Sequence, residues 1–221
     1  MRRILCFGDS NTYGYIPDGS GRYDEDIRWT GIISRSLGED YIVLEEGLCG
    51  RTTIFEDDVR EGLKGLDSVE SVIKKHNPVD LFIIMLGTND CKSKYNATPD
   101  IIAGGVEKVI NKALEASSSN VKVLVISPIL LGEGVGGEDY DPEFCENSEK
   151  VCAKLAGKYK ALAVENNFYF LDASEYATAS PIDREHLDAS GHSSLAEGIL
   201  HRINEIFRDV VYINSTQSGQ Q

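Results

Sequence analysis

Hydrophobic and polar positions along the chain follow two alternating rhythms. Short, nearly continuous apolar runs at Arg2 to Phe7, Tyr41 to Leu44, Val79 to Leu86, Val121 to Ser127 and Phe168 to Asp172 have the length and the β-branched or aromatic content of parallel strands. Val79 to Leu86 is the most apolar and is expected at the centre of the sheet. Between these runs, apolar residues recur three or four positions apart. Trp29, Ile32, Ile33 and Leu37 make one helical stripe, stopped by Gly38. A second helix ends near His76, where Asn77-Pro78 breaks the pattern. Thr98 as cap and Pro99 in the first turn open a third, which runs through Ile102, Val106, Val109, Ile110 and Leu114. Phe144, Val151, Leu155, Tyr159, Leu162 and Ala163 predict a helix over Pro142 to Asn166, and a last amphipathic helix is predicted from about Ala189 to Val211.

Strands alternating with helices predict an α/β protein: a three-layer α/β/α sandwich around a parallel sheet. Right-handed crossovers make the flavodoxin-like five-stranded order 2-1-3-4-5 the expected one. In that order the first and third strands are neighbours, so Ser10 and Asn89 emerge side by side at the carboxyl edge, with Gly50 arriving from the other flank. A single domain is expected over residues 1–211, followed by a polar, flexible tail at 212–221. Leu131 to Asp141 carries four glycines and four acidic residues without periodicity, which predicts a mobile surface loop after the fourth strand.

Composition narrows the function. The chain has 221 residues, 41% hydrophobic, with a formal net charge of −14 and scattered Lys and Arg. That balance argues against nucleic acid as a partner. No stretch approaches the roughly 20 apolar residues of a membrane span, and the first apolar run is too short for a signal sequence. A cytoplasmic protein is expected by elimination. The five cysteines are an odd number without the close pairing of a zinc or redox site, so reduced thiols are expected, with Cys6 buried and Cys49 and Cys91 beside the pocket.

Three polar stops at strand ends carry the candidate chemistry. Acyl transfer needs a nucleophilic hydroxyl, a base, a group that orients the base, and donors for the oxyanion. Ser10 offers the hydroxyl. His186 is the best base, because Asp183 three residues earlier can reach back to the imidazole. The N–H groups of Ser10 and Gly50 and the side-chain amide of Asn89 are candidate oxyanion donors. Taken singly, each has a plainer reading: Asp9-Ser10-Asn11 as a turn or cap, His186 as an exposed histidine, and Asp183 as a cap. His192 competes as base but lacks a suitably spaced Asp. Asp9 and Asp90 are expected to brace their turns, and Trp29 to anchor the core. Asp9, Tyr13, Tyr15, Ile54, Phe55, Lys92 and Tyr95 are candidates to line a substrate pocket.

Gly8-Asp9-Ser10, Glu46-Gly47-Leu48-Cys49-Gly50-Arg51-Thr52, Gly87-Thr88-Asn89-Asp90 and Asp183-x-x-His186 together resemble the four sequence blocks of the SGNH (GDSL-type) serine hydrolases, in order. The stretches around Arg28-Trp29-Thr30-Gly31, Glu45 to Leu48 and Ile83 to Asp90 are further similar to the bacterial arylesterase and acyltransferase subgroup. The resemblance implies Ser10 as nucleophile, His186 as base, Asp183 as its partner, and Ser10, Gly50 and Asn89 as oxyanion donors. It implies a serine esterase acting on short-chain acyl, aryl or acetylated-sugar esters without a cofactor, with water or an alcohol as acceptor, and a tendency to form homo-oligomers. The sequence departs from the family at Asn11, where the family name has leucine. Two other classes remain at this point: a metal-assisted hydrolase drawing on Asp9, Asn89, Asp183 and His186, and a non-catalytic binding module on the same fold.

Overall fold

The computed structural model describes the backbone of residues 1–217 and side-chain surroundings up to residue 208. Five parallel strands form one sheet in the order β2-β1-β3-β4-β5: β1 (Arg2–Gly8), β2 (Tyr41–Gly47), β3 (Leu81–Met85), β4 (Lys122–Ser127) and β5 (Tyr169–Asp172). The register places Gly8 beside Gly47 on one side and Met85 on the other, so three strands end level. The helices are α1 (Ser10–Tyr13), α2 (Trp29–Leu37), α3 (Gly65–His76), α4 (Pro99–Ala116), α5 (Glu146–Cys152), α6 (Leu155–Glu165) and α7 (Ala189–Gln217).

Side chains alternate across the central strands, and each face builds its own core. Leu5, Phe7, Phe82, Ile84, Val123 and Val125 pack under α3, α4 and α6. Ile4, Cys6, Leu81, Ile83, Met85, Leu124 and Ile126 pack under α2 and α7. All of β3 is buried, as its unbroken apolar run requires. Truncating Ile83 to alanine would cost about 2–5 kcal/mol, since the site is closed on every side. Thr98 caps α4 by accepting from the Ile101 N–H, with Pro99 in the first turn.

Four features differ from the sequence expectation. The strand β2 continues to Gly47 through two glutamates, because at the sheet edge they can be paired: Glu45 with Arg22 and Arg28, Glu46 with Lys75 and His76. The helix expected over Pro142 to Asn166 is two helices, parted at Ala153 and Lys154. The apolar spacing runs across the break and conceals it, while the Lys154 N–H turns to Val151 O in a tighter turn. The segment Leu131 to Asp141 is anchored, with Leu131 and Val135 buried in the core. Helix α7 continues past Val211 to Gln217; residues 218–221 of the expected flexible tail lie outside the described residues. Among the described residues no helix is long and apolar enough to cross a membrane.

Candidate active site

The site is assembled at the carboxyl ends of β1, β2 and β3. After Gly8 the chain turns at once into α1, whose cap is Asp9: its carboxylate accepts from the Asn11 N–H at 3.0 Å. Ser10 therefore begins a helix with its N–H unpartnered among the described residues and its hydroxyl turned toward His186. The loop between Ser180 and Leu187 carries the other half. Asp183 accepts from the backbone N–H groups of Glu185 and His186, both at 3.0 Å, which rolls the loop into a turn and brings the imidazole back over the carboxylate. His186 Nδ1 is 2.6 Å from Asp183 Oδ2, and His186 Nε2 is 2.9 Å from Ser10 Oγ.

Electrostatics support the arrangement. Burial pulls the His186 pKa down, but the hydrogen bond to Asp183 and the charges of Glu185, Asp183 and Asp9 outweigh it and leave the value raised. Burial pushes Asp183 up, and its hydrogen bonds from His186 and Glu185 bring it below the ordinary carboxylate range. The dyad is thus an ionised carboxylate holding a basic imidazole, with the Nδ1 proton directed at Asp183.

Two further loops reach the same spot. Gly47 is where β2 meets α1; a Cβ there would stand 2.3 Å from the Tyr13 nitrogen, so only glycine allows the approach. Beyond it the chain turns through Gly50, at φ +84°, leaving the Gly50 N–H without a partner among the described residues. Arg51 secures that turn from beneath. Its guanidinium donates to Gly8 O at 2.7 Å and to Glu46 O and lies 4.0 Å from the Phe7 ring; burial lowers its pKa to about 10. Asn89 is buried after β3 and donates one amide N–H to Arg51 O at 3.2 Å, leaving the second for the cavity. Asp90 does not brace its own turn. It accepts from the Thr53 N–H and hydroxyl, tying the β3 loop to the β2 loop, and burial pushes its pKa to about 6.

The cavity above Ser10 has a volume of about 670 Å³ and polar walls. Of the candidate lining residues, Tyr15 and Lys92 face it; the Tyr15 ring lies 4.7 Å from that of His186. The others are placed elsewhere. Asp9 is buried in its turn with a pKa raised by burial to about 6, Tyr13 lies under the Arg22 guanidinium, Ile54 sits against Gly105, and Phe55 stacks on Tyr95 at 4.7 Å. Cys49 lines the cavity; Cys91 is buried below it, its thiol directed at Gly87 O. His192 packs in the core, where its Nδ1 accepts from the Trp29 N–H, and Trp29 itself is fully buried.

Residues absent from the sequence candidates complete the walls. Lys94 bridges Asp57 at 2.9 Å and Glu143 at 2.8 Å, and Lys92 pairs with Glu143. These partners are far apart in the chain, so no local pattern announces them. Glu185 is different, since an acid inside the Asp-x-x-His spacing is visible in the sequence. It is buried beside the imidazole, with Oε1 3.8 Å from His186 Nε2, and burial pushes its pKa to about 7. Arg184, at φ +62°, ties this loop to the 131–141 wall: its carbonyl accepts from the Gly132 N–H at 2.8 Å, and its guanidinium donates to Glu133 O and lies 3.9 Å from the Tyr140 ring. Asp9, Asn89, Asp183 and His186 do not converge as a ligand set. Among the described residues no three His, Cys, Asp or Glu side chains form a metal-binding group.

The sequence profile of the GDSL-like lipase/acylhydrolase family matches residues 6–201, which contain every group above. The chain belongs to this family. Solved structures agree with the assignment. This GDSL-like hydrolase is similar to the aryl esterase of M. smegmatis, with 34% identity over 93% of this chain and 99% of that one and a TM-score of 0.85. It is equally similar to a carbohydrate acetylesterase from Sinorhizobium meliloti, with 34% identity over 93% and 100% of the two chains and a TM-score of 0.85. No curated protein sequence matches. The GDSL-like hydrolase is a carboxylic ester hydrolase on an SGNH-type α/β/α fold.

Proposed function

We propose that this enzyme cleaves small carboxylic esters through an acyl-enzyme on Ser10. The observation that carries the reading is the unbroken relay from Ser10 Oγ to His186 Nε2 at 2.9 Å and from His186 Nδ1 to Asp183 at 2.6 Å. As Ser10 Oγ bonds to the ester carbonyl carbon, its proton passes to His186 Nε2, and the carbonyl oxygen takes the negative charge. In this reading that oxyanion is held by the N–H groups of Ser10 and Gly50, which have no partner among the described residues, and by the Asn89 amide. Collapse breaks the bond to the alcohol oxygen, which leaves with the proton from Nε2. Water, or a second alcohol, then gives its proton to Nε2 and attacks the acyl carbon, and Ser10 regains its proton as the acid or new ester departs.

The walls favour a short acyl group and a polar alcohol. A long alkyl chain would have to cover the ion pairs Lys94–Asp57 and Lys94–Glu143, removing charges from water without replacing their hydration. Short-chain aryl esters and acetylated carbohydrates fit that requirement, in keeping with the aryl esterase and carbohydrate acetylesterase activities named for the two similar structures. The test is Ser10→Ala with p-nitrophenyl acetate, alongside labelling of the native protein by a fluorophosphonate. Turnover and labelling should both vanish in the variant while circular dichroism is unchanged. Turnover that persists overturns the assignment.

A further inference from the structure

Glu185 has no part in the relay, yet its surroundings are those of a group built to meet a ligand. Its backbone is fixed on both sides: the N–H donates to Asp183 Oδ1 at 3.0 Å, and the carbonyl accepts from the Asn11 amide at 3.4 Å. Its side chain is only 7% exposed as a residue, lines the cavity, and makes no hydrogen bond to any described residue. A carboxyl group in that condition costs stability unless something pairs with it. The atom it stands beside is His186 Nε2, 3.8 Å from Oε1. In the reading above, Nε2 hands its proton to the departing alcohol and takes one from the attacking water or alcohol. Whatever is bonded to that alcohol oxygen therefore lies against Glu185.

We propose that Glu185 is a specificity-determining residue that recognises the alcohol half of the ester by hydrogen bonding to a second hydroxyl adjacent to the ester oxygen. The favoured substrates and acceptors are then esters and alcohols of the vicinal-diol or polyol class, and simple alkyl alcohols leave the carboxyl group unpaired. The inference rests on the Ser10–His186 reading, because that reading places the alcohol. The charged and titratable groups facing the carboxyl are His186 and Asp183 on its own loop, Lys92 after β3 and Asp141 in the 131–141 wall. An ionised Glu185 also contributes to the raised pKa of His186.

The experiment compares kcat/KM for glycerol 1-acetate and propyl acetate, which share an acyl group and differ in hydroxyls, in the native enzyme and in Glu185→Leu and Glu185→Gln. The native enzyme should prefer the glycerol ester. The ratio should fall about tenfold in Glu185→Leu, the size of one lost hydrogen bond in a buried site, and stay within about threefold of native in Glu185→Gln, whose amide still pairs with a hydroxyl. Both variants should move the acid limb of the pH profile downward, which a purely structural role would not do. A native ratio at or below unity, or an unchanged ratio in Glu185→Leu, overturns the proposal, and the native measurement does not depend on either variant folding. Ser10→Ala is run beside them: persistent hydrolysis there overturns the reading of the relay, whereas a constant ratio with a silent Ser10→Ala overturns only the role of Glu185.

Discussion

Asn11 Oδ1 accepts a hydrogen bond from the Leu187 N–H at 2.9 Å, joining the residue after Ser10 to the residue after His186 across 176 positions of chain. The same amide donates to Glu185 O, so His186 is flanked by two contacts from one side chain. The distance between Ser10 and His186 is thereby set from within α1 itself, beside the packing of the loop. Asn11, which stands where the family name has leucine, thus holds the His186 loop in position.

Asn11→Leu should therefore fold but suffer twice. It strands the buried Leu187 N–H, costing about 1–3 kcal/mol and lowering the melting temperature. It also releases the His186 loop, so kcat should fall more than KM rises. Asn11→Asp, which keeps the acceptor for Leu187 and loses the donor to Glu185, should recover most of the lost kcat. Melting curves and steady-state rates on p-nitrophenyl acetate check both points, and an Asn11→Leu enzyme with native kcat would refute the positioning role.

The activity should be governed by the imidazole on the acid side. In the proposed relay His186 takes a proton only when neutral, and its pKa is raised above 6.5, so kcat/KM should climb with pH through a midpoint above that value. In Asp183→Asn the hydrogen bond and charge that raise the value are gone and burial, which lowers it, remains. The midpoint should move to lower pH while the plateau drops by a factor on the order of 1,000–10,000, because the imidazole loses its orientation. A pH series on both proteins measures the two effects separately.

Stability should carry a different signature, written by His192. Burial lowers its pKa to about 4 in the fold against about 6.5 in the unfolded chain. The unfolded state then binds more protons, so this contribution to stability is complete above pH 6.5 and is lost as pH falls toward 4. Asp9 and Asp90, raised by burial to about 6, act in the opposite sense, favouring the fold as pH falls from 6 toward 4. Subtracting His192→Phe from native cancels the aspartates. The native advantage in melting temperature should shrink from pH 7 to pH 4, and a constant difference would contradict the assignment.

Much of this is legible in the sequence. The strand runs, the sheet order and the adjacency of Ser10 and Asn89 follow from apolar rhythm and crossover handedness, which are local or topological rules, whereas His186 is picked out by its spacing from Asp183 and by the resemblance to the SGNH blocks. What escaped belongs to pairing across distance. Lys94 meets Asp57 and Glu143 only because three loops share one rim, and nothing in the sequence around Arg51 tells that its guanidinium is received by Gly8 O and Glu46 O. Asp90 was expected to serve its own turn and serves Thr53 instead. The break between α5 and α6 was hidden because apolar spacing reports which face is buried and is insensitive to one tightened turn.

Arg184 sits between Asp183 and Glu185 in the chain while its carbonyl and guanidinium clasp Gly132, Glu133 and Tyr140. Insertions close to Leu131 or at Tyr140 would therefore drag on the imidazole, whereas Glu138 and Asp139 form an exposed tip between those two anchors. Descendants of this scaffold can acquire new tastes by rewriting the exposed tip of a single loop, and its two anchored ends are where drift is punished.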